Sequence, residues 1–176
     1  MSYEPFIEQF GELGWKETRS VTVFENNPYG LPPDQYGLIE AYCDDENCDC
    51  RRVFFNVAAR KRDEIVAVVS YGWEDEAFYR KWFGGGDNEY SRMAVKEMVG
   101  LALNLASPQS ELAPAIMAFV KDVLHDQSYV ARIKRHYRMF KEKVDPKHFR
   151  PSGAAKQPLS AKPTSQKRHR PRSTGN

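Results

Sequence analysis

The chain has 176 residues, of which 41% are hydrophobic and 28% are charged. This length suits one compact domain with a real core and is too short for two large ones. The sequence has no run of 18 apolar residues, and its acidic start lacks the features of a signal peptide. We therefore expect neither a membrane span nor secretion, and we predict a cytoplasmic protein.

The formal net charge of +2 is distributed unevenly along the chain. Residues 151–176 contain no acidic residue and six basic ones, namely Lys156, Lys162, Lys167, Arg168, Arg170 and Arg172. The remaining 20 basic and 24 acidic residues give residues 1–150 a net charge of −4. The basic segment is also too poor in apolar residues to offset the entropy of ordering it. We predict a domain over residues 1–149 and a disordered basic tail over residues 150–176.

The first half of the domain predicts one helix followed by strands. Apolar residues recur at helical spacing within residues 3–13, which predicts a short amphipathic helix. Segments rich in β-branched and aromatic residues predict strands at residues 17–25, 36–43, 52–59 and 64–71. Short polar turns favour antiparallel pairing of neighbouring strands. We expect a small antiparallel sheet of three to four strands.

The second half of the domain predicts helices. The periodic segments are residues 74–83, part of residues 89–103, residues 107–125, and a last helix that follows a cap at Asp126 or Ser128 and stops at Asp145-Pro146. Pro114 is expected to shift the start of the third helix by a turn. Strands followed by helices indicate an α+β fold in which the sheet packs against the C-terminal helices.

All three cysteines lie within eight residues, as Cys43, Cys48 and Cys50, between two predicted strands. Clustered cysteines in a reducing compartment more often bind metal than form disulfides, and an odd number cannot all pair within one chain. Residues two apart on an extended backbone point the same way, and the turn before Cys48 can fold Cys43 against them. The pattern favours a metal site, with unliganded thiols as the alternative.

A sulfur-rich tetrahedral site favours Zn²⁺, held by three thiolates and one imidazole. No histidine precedes His125, so the fourth ligand must come from the C-terminal part of the chain. His148 and His169 lie beyond the last predicted helix, whereas His136 lies beside its apolar stripe. His136 also fits an ordinary helix-edge histidine, and its position alone does not choose between the two.

Three segments of the chain resemble an uncharacterised bacterial protein family. They run from Tyr42 to Val53, from Asn104 to Ser110 with Ala113-Pro114, and from Tyr129 to Tyr137 with its Lys-Arg-His-Tyr sequence. The resemblance covers residues 35–143 and implies that Cys43, Cys48, Cys50 and His136 belong to one recurrent pattern. Members of such a family often end in a cysteine-rich SEC-C-type zinc-binding tail, which this chain lacks. The resemblance implies no activity or substrate.

Two other groups of residues have competing interpretations. Six aromatic residues between Tyr71 and Phe83 could stack bases, but their helical spacing is more typical of core packing. Basic residues on the last helix could bind phosphates. Because the domain is acidic overall, a helix face that is simply solvated, or that offsets the negative charge of the zinc site, is favoured. These residues are Lys134, Arg135, Arg138, Lys141 and Lys143.

The sequence therefore predicts a non-enzymatic binding or adaptor module with a structural Cys3His zinc site, because a closed site leaves no position for a substrate. One alternative is a zinc-dependent hydrolase or other metalloenzyme, in which an acidic residue of the cysteine segment activates bound water. Those acids are Asp44, Asp45, Glu46 and Asp49. Another alternative is nucleic-acid binding through Lys167, Arg168, Arg170 and Arg172 of the tail. We expect a protein or nucleic-acid partner and no membrane.

Overall fold

A computed structural model of the protein describes residues 2–149. The tail predicted over residues 150–176 lies outside the described residues. The strands are β1 (Tyr3–Pro5), β2 (Arg19–Val23), β3 (Asp34–Cys43), β4 (Arg52–Ala59), β5 (Glu64–Gly72) and β6 (Gly100–Leu103). The helices are α1 (Phe6–Glu17), α2 (Glu76–Phe83), α3 (Glu89–Met98), α4 (Ala113–Val123) and α5 (Gln127–Val144).

The strands form one antiparallel sheet in the order β1-β3-β4-β5-β6. Strand β3 is long enough to pair with two strands on one side: β1 lies along its end, with Tyr3 opposite Cys43, and β2 lies along its start. Strands β3, β4, β5 and β6 pair in chain order, as a meander of antiparallel strands requires. The mixed α/β architecture and the antiparallel pairing are as predicted.

The number of strands was predicted too low, since the described residues contain six rather than three or four. Strand β1 falls in a segment predicted as helix, and β6 falls in a segment predicted as partly helical. Each is only three or four residues long, so neither has a recognisable alternation of its own. Both are extended because they pair with a longer neighbour, β3 or β5.

Helix α4 begins later than the Ser107-Pro108 signal predicted. The residues before it continue along the exposed edge of β5, where the Ser110 amide donates to the Val66 carbonyl at 3.0 Å. The Val68 amide donates in turn to the Gln109 side chain at 3.1 Å. The segment before α4 therefore supplies hydrogen-bond partners for backbone groups of β5. The helix starts after this segment, with Pro114 in its first turn.

The main core lies on one face of the sheet, under α1, α4 and α5. Alternate residues of β3 and β4 point into it, including Tyr36, Leu38, Tyr42 and Phe55, all of which are fully buried. Glu40 belongs to the same alternating set, so a carboxylate is buried within an apolar face. None of the described helices is long and apolar enough to cross a bilayer.

Candidate metal centre

The loop between β3 and β4, residues 43–51, carries all three cysteines and is called the cysteine loop below. Cys43 is the last residue of β3, and β4 begins at Arg52. The backbone adopts positive φ at Asn47 (64°) and at Arg51 (46°), which reverses the chain within a few residues. This compact turn returns Cys48 and Cys50 towards the end of β3.

The three cysteine sulfur atoms all lie within 4.8 Å of one another. Cys43 and Cys50 are buried, and Cys48 is partly exposed. A tetrahedral ion with metal–sulfur bonds of about 2.3 Å needs sulfurs at such short separations. The sequence correctly predicted that the three thiols converge, and the group is close enough to hold a metal ion.

Lys141 of α5 lies against the cysteine loop and is fully buried. Its ammonium group donates to the carbonyl of Cys43 at 3.2 Å and to that of Asp45 at 2.8 Å. Burying a positive charge is costly unless negative charge lies nearby. The ammonium group of Lys141 therefore lies where it can offset negative charge on the cysteine sulfurs.

Hydrogen bonds between the sulfurs perturb their protonation. Hydrogen bonds from Cys43 and Cys50 lower the pKa of Cys48 to about 3, and the charge of Lys141 lowers it further. The pKa of Cys50 is raised by the same contacts and by burial. The Cys48 thiol therefore ionises more readily than the Cys50 thiol, and uptake of a metal would release the protons of the thiols that bind it.

Three tyrosine side chains lie near Cys50, of which Tyr79 and Tyr137 are buried and Tyr3 is partly buried. Burial raises the pKa values of Tyr3, Tyr79 and Tyr137, and the nearby Cys50 raises each of them further. These side chains therefore stay neutral and place low-polarity rings around the sulfurs. Neighbours of low polarity strengthen the attraction between a thiolate and a cation.

Direct contacts hold the cysteine loop to its neighbours. The Asn47 amide donates to Asp145, which follows α5, at 2.6 Å. The Tyr137 hydroxyl donates to Asp49 at 2.9 Å, and the Tyr79 hydroxyl donates to the Arg51 carbonyl at 2.8 Å. Elements distant in sequence thus fix both halves of the loop, and the positions of its sulfurs are built into the fold.

His136, predicted as the fourth ligand, is not brought to the cysteines. Its ring is 1% exposed, and its Nδ1 lies 2.7 Å from the Glu40 carboxylate while its Nε2 lies 2.6 Å from the Glu17 carboxylate. The ring also stacks on Phe6, with centroids 4.2 Å apart. Both nitrogens that could bind a metal therefore face carboxylates. Among residues 2–149, the group close enough to hold a metal ion contains the three cysteines and no histidine.

The other described histidines also lie beside carboxylates. His125 is largely exposed and approaches Asp122 at 3.7 Å, and His148 lies 2.9 Å from Asp145. His169 falls outside the described residues. The four acids proposed to lie near a metal, Asp44, Asp45, Glu46 and Asp49, are all in the cysteine loop. None of their carboxylates belongs to the group of atoms that lie within 4.8 Å of one another.

The carboxylate cluster around His136 was missed by sequence analysis. The Tyr42 hydroxyl donates to Glu40 at 2.6 Å, and Arg135 contacts Glu17. The hydrogen bond from His136 lowers the pKa of Glu17, with Arg135 contributing in the same direction. The available signal was Glu40 itself, a charged residue at an inward position of β3 between Leu38 and Tyr42.

Comparison with protein-family models, with curated proteins and with solved structures finds no significant match to this chain.

Proposed function

We propose that this protein is a zinc-binding module in which Cys43, Cys48 and Cys50 hold one Zn²⁺ with a structural role. The observation that carries the proposal is the grouping of three sulfur atoms within 4.8 Å of one another in a loop braced by distant elements. In this role the ion fastens the cysteine loop in place and presents a fixed surface to a binding partner. The module is non-enzymatic and acts as a binding or adaptor protein.

Charge supports Zn²⁺ as the ion. Three thiolates around a divalent cation carry a net charge of −1, and the buried ammonium group of Lys141 supplies the opposite charge beside them. Thiolate ligands favour Zn²⁺ over the oxygen-preferring Mg²⁺ and Ca²⁺. The buried ammonium group of Lys141 therefore offsets the net negative charge that a zinc ion with three thiolate ligands would carry.

A second candidate function, a zinc-dependent hydrolase or other metalloenzyme, is favoured by one observation. Because His136 is engaged by Glu17 and Glu40, no described histidine is placed to act as the fourth ligand of the metal. A water molecule in that position would make the centre catalytic in type. Asp44, Asp45, Glu46 and Asp49 of the cysteine loop are the candidate acids for activating such a water.

Zinc binding is tested by elemental analysis of the full-length protein, purified under reducing conditions without chelator. We expect one zinc per chain, and its loss in Cys48→Ser and in Cys50→Ser. Ser110→Ala, at a position outside the cysteine loop, is the matched control and should retain zinc. Protein that contains no zinc and binds none when it is added would refute the proposal.

Cobalt substitution separates the two candidate functions. Co²⁺ in the same site reports its ligands through its visible absorption spectrum. We expect an intense thiolate-to-metal band, and a band that azide does not alter would indicate a structural site whose fourth position is closed by a ligand from the protein. A spectrum that shifts on addition of azide would show an exchangeable fourth position and would favour the metalloenzyme.

A further inference from the structure

A groove of about 480 Å³ lies beside the cysteine loop, and neither the sulfurs nor Lys141 line it. Its walls are the second half of the cysteine loop, the turn after β5, one face of α5, and Phe149. Both charged and aromatic side chains line it. We call it the α5 groove.

Positive charge dominates the α5 groove. Four cationic side chains line it, against the two carboxylates of Asp49 and Glu74. Both carboxylates are already used by one cation, since Arg51 contacts Asp49 at 2.9 Å and Glu74 at 3.1 Å. A second cation, Arg135, contacts Glu17.

The other two cations, Lys134 and Arg138, are available to a ligand. Both are exposed, and neither has a carboxylate within ion-pair distance among residues 2–149. They lie four residues apart on α5 and so project from the same face of the helix, about one turn apart. Two unneutralised cations at such spacing fit successive anionic groups of one extended ligand.

Three aromatic side chains, Trp73, Tyr137 and Phe149, also line the α5 groove. Tyr137 is packed edge-on between Trp73 and Phe149, at centroid distances of 5.2 Å and 6.2 Å. Tyr137 is buried, whereas Trp73 and Phe149 are partly exposed. Partly exposed rings held by a buried third ring are rigid surfaces on which a flat heterocycle can stack.

The position of the groove along the chain supplies a third observation. Phe149 lines the groove and is the last described residue, and residues 150–176 follow it directly. Arg150 and the six basic residues beyond it are accompanied by no acidic residue. A polyanion in the groove thus lies where the basic segment of the chain begins.

We propose that the α5 groove binds single-stranded nucleic acid, with backbone phosphates on Lys134 and Arg138 and a base stacked on Trp73 or Phe149. Paired cations and exposed rings are the combination that single strands require, because their bases are free to stack. A duplex hides its bases, and an acidic polypeptide has none. No cysteine contacts the ligand in this proposal, so nucleic-acid binding and zinc binding are tested by separate variants.

The test is fluorescence anisotropy of labelled oligothymidylate of ten nucleotides titrated with the full-length protein. The double variant Lys134→Gln/Arg138→Gln should bind at least ~10-fold more weakly, and its log–log salt slope should be smaller by about 1.4, as expected for two lost phosphate contacts. Trp73→Leu should weaken binding about 5- to 10-fold. The matched control Lys16→Gln/Lys96→Gln, which removes two exposed charges outside the groove, should change affinity less than ~2-fold.

Circular dichroism and zinc content establish that each variant is folded, and the exposed pair Lys134/Arg138 keeps the test valid if Trp73→Leu unfolds. A full-length variant with Lys167, Arg168, Arg170 and Arg172 replaced by glutamine separates the tail from the groove. When the groove substitutions and the control substitutions are each made in this tail variant, the groove substitutions should still weaken binding more than the control substitutions. The proposal is overturned if the groove variant binds like its control, if the wild-type protein does not bind, or if duplex DNA or polyglutamate binds equally well.

Discussion

Two buried polar centres contact helix α5, and they are built in opposite ways. The cysteine centre takes its three sulfurs from eight consecutive residues, and the helix contributes neighbours such as Lys141 but no sulfur. The carboxylate–histidine centre joins His136 to Glu40 and Glu17, which are 96 and 119 residues away along the chain. The first is therefore local in sequence, and the second exists only because α1, β3 and α5 pack together.

This difference changes the role that His136 can have. An imidazolium can donate to both carboxylates at once, whereas a neutral ring can donate to only one. The stacking of the ring on Phe6 fixes its orientation between them. The cysteine centre is thus suited to hold a cation from solution, whereas both ring nitrogens of His136 are already engaged by carboxylates of the protein.

The largest expected effect is on the cysteine centre. Cys50→Ser should abolish stoichiometric zinc and lower the free energy of unfolding by about 5 kcal/mol, roughly half of what a structural zinc site supplies. Thermal melting and elemental analysis measure the two effects. A chelator should reproduce the shift in wild-type protein and have no further effect on the variant. Unchanged melting with zinc retained would show that this sulfur is not a ligand.

The next effect breaks the carboxylate–histidine centre and leaves the sulfurs intact. His136→Ala should lower the free energy of unfolding by about 3–5 kcal/mol, because Glu40 is left buried without its partner. Zinc affinity, measured by competition with a chromogenic chelator, should stay near that of the wild type. His125→Ala, at an exposed position, is the control and should alter neither. A loss of zinc with little loss of stability would restore His136 as a metal ligand.

A smaller effect is expected where α5 meets the sulfurs. Lys141→Met keeps the length of the side chain but removes its charge, so the negatively charged centre loses its compensation. We expect zinc affinity to fall about 10-fold, within the range seen when groups around metal ligands are removed. Lys143→Met, which removes an exposed charge from the same helix, should leave the affinity unchanged. Equal affinities for the two variants would contradict charge compensation by Lys141.

The smallest effect is a pH dependence at Glu17. The hydrogen bond from His136 lowers its folded-state pKa, so Glu17 stabilises the fold above its usual pKa of 4.5 and loses this contribution as pH falls through the lowered value. Wild type should exceed Glu17→Gln in stability by about 1 kcal/mol at pH 7, with the difference narrowing below about pH 4. Urea unfolding at several pH values measures it. Because both proteins retain the cysteines, acid release of zinc cancels in the difference.

Sequence pattern was most informative where neighbouring residues determine the structure. Strand β4 was predicted at residues 52–59 and observed at Arg52–Ala59, because its β-branched and aromatic residues and the polar turn after it are local signals. Helix α5 begins after Asp126, whose side chain accepts hydrogen bonds from two backbone amides, and ends before Pro146. Strands β1 and β6 have no such local signal, since pairing with a neighbour makes them extended.

By itself, the sequence determined that three thiols meet, because a turn of a few residues between two strands leaves their sulfurs little freedom. It also indicated that α5 carries basic residues suited to compensate negative charge. Only the tertiary structure decided which ones do so: Lys141 is buried against the cysteine loop, while Lys134 and Arg138 face the groove. It likewise directed His136 to Glu17 and Glu40. A side chain on a helix has several apolar and polar neighbours within reach, and the packing of distant elements determines which of them it contacts.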